Sequence, residues 1–189
     1  DLTVQMGRNA GHSNNTRMIM TGSVDQNANT INFITISSTG NALDFGDTLT
    51  NMASIGSAGN RTRIVFGGGS SPGNTDRIDF ITISTAGNAT DFGDMTAQKG
   101  WVFGAASSRV RGVFAGGSVP GVTDIIDFVT IAQTGNAVDF GNLTVARLAI
   151  GGCGNETRGL FGGGNPAPNT TKTDTIDFIT IASTGNAVD

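Results

Sequence analysis

One histidine, one cysteine and a recurring set of asparagines and aspartates are the residues of this chain whose chemistry could make a site. His12 stands beside Ser13 in "GHSNN", a base next to a hydroxyl nucleophile. Hydrolysis by such a pair also needs an orienting third group and an oxyanion hole, and the surrounding sequence offers neither. A polar turn residue accounts for His12 without chemistry. Cys153 lies among small residues in "AIGGCGN" with no His or Asp beside it, so it reads as a buried small hydrophobe in a strand. Oxygen ligands make a stronger case. Asn41, Asp44 and Asp47 recur as Asn88, Asp91 and Asp94 and again as Asn136, Asp139 and Asn142, a three-residue spacing that could suit calcium. Cation loops place ligands at alternate positions, however, and Phe-Gly interrupts this run. Asn at a hairpin corner and Asp at a strand end are explained by local backbone hydrogen bonds, so neither metal nor other cofactor is expected.

Arg17, Arg63, Arg111 and Arg158 also recur, as do Asp79, Asp127 and Asp177. A catalytic site is asymmetric, whereas a residue that returns once per repeat reads as part of a joint. Arg63, Arg111 and Arg158 are therefore expected to bond to a neighbouring repeat, the aspartates being candidate partners. Gly67-Gly68-Gly69 is followed by neither Lys-Ser/Thr nor a helical pattern, so it is no phosphate cradle. The chain is read as non-enzymatic.

The elements that hold these residues follow from the repeat. Phe33, Phe80, Phe128 and Phe178 are separated by 47, 48 and 50 residues, a period that outranks local secondary-structure signals. Cutting after each Phe-Gly divides a single 1–189 domain into repeats 1–46, 47–93, 94–141 and 142–189. Each repeat reads as four strands. A weakly apolar strand, as in "GWVFGAA" or "RLAIGGC", meets a Gly-Asn turn, and a second strand starts at the arginine and ends in glycines. The third, "IDFITI", is apolar on both faces and so sits between layers. "STAGN" is a hairpin signal, and the short "ATDFGD" completes the set. Four antiparallel strands per repeat with two apolar faces describe an all-β protein, a β-propeller of four-stranded blades. Four repeats make either a compact four-bladed ring or part of a larger ring or multichain assembly.

Composition narrows the function. The 189 residues are 37% hydrophobic and 14% charged with a formal net charge of -4. That supports a core and argues against phosphate-neutralising contact with nucleic acid. Twenty-nine glycines and no tyrosine fit short strands and tight turns. The lone Cys153 rules out an intrachain disulfide, and no apolar run reaches the roughly 18 residues of a membrane span. The opening at Asp1 suggests a processed or excerpted chain.

The strand into a double glycine ("VFGGG" at Val65, "VFAGG" at Val113, "LFGGG" at Leu160), followed by a variable loop, "TDxIDF" and an aromatic fourth strand, resembles the Kelch-type propeller repeat. Thr21-Gly22-Ser23 and Asn32 depart from the pattern in the first repeat, and phenylalanines stand for the usual tyrosine and tryptophan. The "IDFITIxxTGNAxDFGD" wording is also similar to repeat tracts of virion and tail-associated proteins of large tailed phages. These resemblances imply a structural or adhesive module in a virion or extracellular appendage, with other structural proteins or further copies of itself as partners. Kelch-like scaffolds also carry hydrolases and copper radical oxidases, but the oxidase ligands include tyrosine, which this chain lacks. A glycan-binding lectin is the alternative. Its contacts would lie in the variable loops, at Trp101, Ser71, Asn74, Pro120, Asn165 and Asn169, since loops change chemistry without disturbing a scaffold.

Overall fold

The computed structural model describes residues 1–23, 29–70, 72–168 and 171–189. It is all-β: among the described residues there is no helix, and none therefore long and apolar enough to cross a membrane. Each repeat forms one antiparallel meander. The first sheet contains Ala10–Ser13, Arg17–Thr21, Thr30–Thr35 and Leu43–Asp47, and the second Gly56–Gly59, Arg63–Gly67, Thr75–Thr82 and Thr90–Lys99. The third contains Gly104–Ser107, Arg111–Ala115, Ile125–Thr130 and Val138–Asn142. In the fourth, Gly151–Gly154, Arg158–Gly162 and Ile176–Thr180 are joined by a bridge from Val188 to Phe178. Two short ladders, Ser118–Val119 with Gly121–Val122 and Arg147–Leu148 with Asn165–Pro166, lie in the loops.

Every second strand begins at the recurring arginine, as the sequence indicates. First strands start later than the apolar runs suggest: Trp101–Phe103 precede the strand Gly104–Ser107. A residue with positive φ in the approach to each sheet causes the delay: Arg8, Ser54, Trp101 and Ala149, at 54–61°. A strand requires extended φ, so pairing waits until the chain has turned.

The sheets pack face to face in chain order, and the core lies between them. Ile19, Ile31 and Phe33 of the first sheet meet Ile64, Phe66, Ile81 and Ile83 of the second. Ala58, Val65 and Ile78 meet Phe114 and Val129, and Ala106, Val113 and Ile126 meet Phe161, Ile179 and Ile181. This is why the third strand is apolar on both faces. Along one sheet, Val65 and Ile78 turn to the following sheet while Phe66 and Ile81 turn to the preceding one.

The two outermost faces lack such cover. Leu160 and Ile176 of the fourth sheet are 41% and 58% exposed, whereas their counterparts Val65, Val113, Ile78 and Ile126 are all 0%. On the opposite side of the first sheet Ile36 is 51% exposed, against 0% for Ile83 and Ile131.

Candidate functional site

The recurring polar residues build joints between sheets. At the outer rim, the fourth strand of one sheet clasps the Thr-Gly-Asn or Ala-Gly-Asn turn of the next. Gly87 N–H donates to Phe45 O and Ala89 N–H to Asp47 O, both at 2.7 Å, while Asp47 N–H donates to Asn88 Oδ1 at 3.0 Å. Gly135, Ala137 and Asn136 repeat the pattern on Phe92 and Asp94, and Gly185, Ala187 and Asn186 repeat it on Phe140 and Asn142. Asp1–Thr3 hold the matching place on the first sheet: Ala42 N–H donates to Asp1 O at 2.8 Å, and the terminal ammonium donates to Asn41 Oδ1. Thus the asparagine of each candidate calcium run is engaged by a backbone or terminal N–H group. Among the described residues no cluster of three or more His, Cys, Asp or Glu is placed to hold a metal ion.

Phe-Gly serves the same rim. Phe45, Phe92 and Phe140 stack edge-on against Phe33, Phe80 and Phe128 within their sheets. The glycine that follows allows the backbones to meet, since a Cβ on Gly46, Gly93 or Gly141 would fall 2.4–2.5 Å from the carbonyl oxygen of Gly87, Gly135 or Gly185.

A second joint uses the arginines. The guanidinium of Arg17, Arg63, Arg111 and Arg158 lies 4.4–4.9 Å from the ring centre of Phe33, Phe80, Phe128 and Phe178, respectively, a cation–π contact. Arg17 donates onward to Ile83 O at 2.8 Å, Arg63 to Ile131 O and Ala132 O at 3.3 and 3.0 Å, and Arg111 to Ile181 O at 2.9 Å. The neighbouring sheet is thus the partner, but the aspartates are not. In register, Arg63 faces Thr82 while Asp79 faces Phe66, three rungs or about 10 Å apart. Arg158 stacks on Phe178, and among the described residues no following carbonyl receives it.

A third joint lies at the first hairpin. Asn60 Oδ1 accepts from Thr62 N, Thr62 Oγ1 and Arg63 N, and its Nδ2 donates to Arg109 O of the next sheet at 2.9 Å. Asn14 does the same with Thr16, Arg17 and Arg61 O. The Asn-x-Thr triplets at 14, 60 and 155 are therefore turn caps in this structure. Asn60→Ala is expected to cost about 1–2 kcal/mol in chemical denaturation, since it leaves turn donors without an acceptor and breaks the cross-sheet bond.

The fourth joint buries charge. Asp79, Asp127, Asp177 and, in the first sheet, Asn32 are all fully buried. Each accepts from the segment that leads into its own sheet: Leu49 N donates to Asp79, Thr96 Oγ1 to Asp127, Thr144 N and Oγ1 to Asp177, and Thr3 N and Oγ1 to Asn32. Three residues beyond these donors come Met52, Lys99, Arg147 and Met6. Lys99 Nζ is 2.8 Å from Asp127 Oδ2 and Arg147 Nη2 is 2.6 Å from Asp177 Oδ2, with all four side chains at 0% exposure. Burial holds the Lys99 ammonium below its ordinary pKa, against the opposing pull of Asp127. Met6 supplies no charge, and there the acid is replaced by Asn32, whose Nδ2 meets the Met6 sulfur at 3.9 Å. These cation positions were missed in the sequence because their residue types differ. The signal was the constant three-residue spacing from Thr3, Leu49, Thr96 and Thr144.

Asp79 is the mismatched member, with Met52 at the cation position and only Arg77 Nε near it, at 3.6 Å. Burial raises its pKa above the ordinary 3.8, while the Leu49 N–H and Arg77 pull it down. A raised carboxyl favours folding fully below its unfolded pKa, and that contribution is lost as pH rises through the folded pKa. Asp79→Asn recreates the Asn32–Met6 arrangement. It is expected to gain stability relative to wild type between pH 4 and pH 7, read from urea midpoints at both values; an unchanged difference would contradict the assignment.

The candidate recognition residues gather only in part. Trp101 and Pro120 line one cleft of about 380 Å³ with Leu148 and Pro168. Arg8 covers one face of the Trp101 ring at 4.4 Å, and Phe103 meets it edge-on. Asn74 Nδ2 donates to Ser118 O at 2.9 Å, and Asn165 is paired with Leu148 in a short ladder. Ser71 and Asn169 lie outside the described residues. At the opposite end of the sheets, His12 and Ser13 share a cleft of about 430 Å³ with the first-hairpin turns of the other three sheets. Burial lowers the His12 pKa, and the carboxylate of that cleft, Glu156, is paired with Arg109 at 3.0 Å. Cys153 is exposed. No protein-family model matches the chain, and no curated protein is significantly similar to it.

Proposed function

We propose that the chain is an arc of a Kelch-like β-propeller that acts as a non-enzymatic structural or adhesive module, in a virion or another extracellular appendage. The observation that carries this reading is how the recurring polar side chains are used. Arg17, Arg63 and Arg111, the asparagines of the turns and the buried aspartates act between consecutive sheets or in the segments that join them. Side chains that recur at the junctions in this way are committed to holding an assembly in shape. The setting rests on the resemblance of the repeat wording to phage virion tracts, and other structural proteins are the partners that setting supplies.

The Trp101 cleft favours one alternative, a glycan-binding module, because a half-buried aromatic ring beside loops that vary between repeats is a means of stacking on a sugar ring. Its platform is restricted by Arg8 over one ring face. A glycan array with wild type and Trp101→Ala separates the two. Silence from both, with unchanged melting, is the result expected of a scaffold; saturable binding lost in Trp101→Ala would move the function to recognition.

A further inference from the structure

The tips of the first hairpins differ in charge from repeat to repeat. Asn15, Arg61, Arg109 and Glu156 hold the same place in the four turns, each directly after the cap residue Asn14, Asn60, Ser108 or Asn155. The cap takes the two N–H groups beyond the tip: Asn60 Oδ1 accepts from Thr62 N and Arg63 N, and Ser108 Oγ accepts from Val110 N and Arg111 N. The N–H of the tip residue itself is left over. In the third sheet it is filled from the fourth. Arg109 N donates to Glu156 Oε2 and Arg109 Nε to Glu156 Oε1, both at 3.0 Å, so the turn and its side chain form a fork that grips both oxygens of one carboxylate. The second sheet has the same fork in Arg61, but the place from which Glu156 reaches back is held there by Arg109. Among the described residues neither the Arg61 N–H nor its guanidinium has a partner, and Arg61 is exposed.

We propose that the Arg61 fork takes a carboxylate from an acidic segment of a partner protein, presented as Glu156 presents its own to Arg109. The inference rests on the structural reading above and names a contact for the structural proteins that are its partners. Charge agrees with it. The cleft of about 430 Å³ that contains Arg61 is also lined by Arg109 and Glu156, and the Glu156 carboxylate is already held by Arg109. Burial lowers the pKa of His12 in the same cleft, so the cation on offer is Arg61. Ser13, Asn15 and Ser107 supply further hydrogen-bonding groups around it. Two observations favour a peptide over an acidic sugar. The group that fills the matching fork is a glutamate side chain at the tip of a Gly-Asn-Glu-Thr turn. Among the described residues that line the cleft there is no Trp or Phe on which a sugar ring could stack. The fork belongs to the second sheet, which is covered on both faces by its neighbours, so it owes nothing to the ends of the arc.

The test is a proton–nitrogen NMR titration of the 189-residue chain with the acetylated, amidated peptide Gly-Asn-Glu-Thr-Arg, the sequence of the fourth sheet's own turn. Exposed ion pairs are weak, so the titration runs to about 10 mM peptide. The Arg61 amide is expected to shift saturably while the Arg109 amide stays still, its fork being filled by Glu156. The peptide Gly-Asn-Gln-Thr-Arg is expected to bind at least about tenfold more weakly, because a neutral amide cannot make charge-assisted bonds to both arms of the fork. Arg61→Gln, at an exposed tip, is expected to keep the melting temperature and lose the response. Glu156→Gln is expected to bring the Arg109 amide into it. An unmoved Arg61 amide, or equal responses to the two peptides, overturns the proposal. Glucuronate bound more tightly than the glutamate peptide overturns it in favour of an acidic saccharide. The structural reading fails separately, by saturable glycan binding that is lost in Trp101→Ala, a result the Arg61 amide does not report.

Discussion

Asp177→Asn is expected to destabilise the protein by about 3 kcal/mol or more, because it leaves the Arg147 guanidinium buried without its anion. Arg147 is fully buried and bonded to Asp177 Oδ2, Gly163 O and Thr175 O at 2.6, 3.0 and 2.8 Å. Neutral carbonyls accept from its Nη1 but do not balance its charge, and its buried Nε has no hydrogen-bond partner. Arg147→Met is expected to cost a comparable amount by stranding the carboxylate. The double replacement, Arg147→Met with Asp177→Asn, reproduces the pair Met6 and Asn32 that the first sheet already uses at the same place. It is expected to recover most of the loss, giving a coupling of at least about 2 kcal/mol in a double-mutant cycle by chemical denaturation. Additive single effects would mean that the two groups do not act as a pair.

Gly93→Ala is the second large effect, and its cause is steric. Gly93 has φ of +142°, a conformation L side chains rarely adopt, and an added Cβ would fall 2.5 Å from Gly135 O and 2.6 Å from Gly135 C. Both obstacles are backbone, held by the Gly135 and Ala137 hydrogen bonds to Phe92 and Asp94. Backbone strain alone costs about 1–3 kcal/mol, and relieving the clash requires opening the second and third sheets at the rim. A loss of more than about 2 kcal/mol is expected. Gly135→Ala has open space around its Cβ and a φ of +153°, so it carries strain without the clash and is expected to lose less. Equal losses would contradict the close-approach explanation.

Much of the fold was legible because the repeat is written in residues with strong local preferences. Arginine marks the start of each second strand, double glycine its end in the last three repeats, and the Gly-Asn hairpin precedes each fourth strand. The two apolar faces of "IDFITI" were visible in its alternation, and they correspond to the two junctions each interior sheet makes. First strands were harder to place. "GWVFGAA" is apolar from its start, but the positive φ of Trp101 is a property of the turn geometry and leaves no mark on residue type: its counterparts are Arg8, Ser54 and Ala149.

The candidate site was less legible. Recurrence pointed to the neighbouring sheet, which Arg63 and Arg111 do meet while Arg158 stacks within its own sheet, yet which atom is met depends on register. Three rungs separate Arg63 from Asp79 on adjacent strands, whereas Ile131 O lies within reach across the junction. The partner cations were concealed for a different reason. Met6, Met52, Lys99 and Arg147 share a place but not a chemistry: Met6 meets the Asn32 amide, Lys99 and Arg147 meet acids, and Met52 leaves Asp79 without a cation there. In the loops, Trp101 and Pro120 do meet in a cleft, but Asn74 is engaged with Ser118 and Asn165 is held in a ladder.

The measurement that tests the stacked arc most directly is residue-resolved amide hydrogen exchange at the outer-rim turns. Gly87, Gly135 and Gly185 donate across junctions to Phe45, Phe92 and Phe140 at 2.7 Å, while among the described residues the Gly40 N–H makes no such cross-sheet bond. The first three amides are expected to exchange only with global unfolding, and Gly40 on the fast timescale of an open turn. Exchange of all four at the Gly40 rate would show that the sheets do not clasp one another, and would contradict the account.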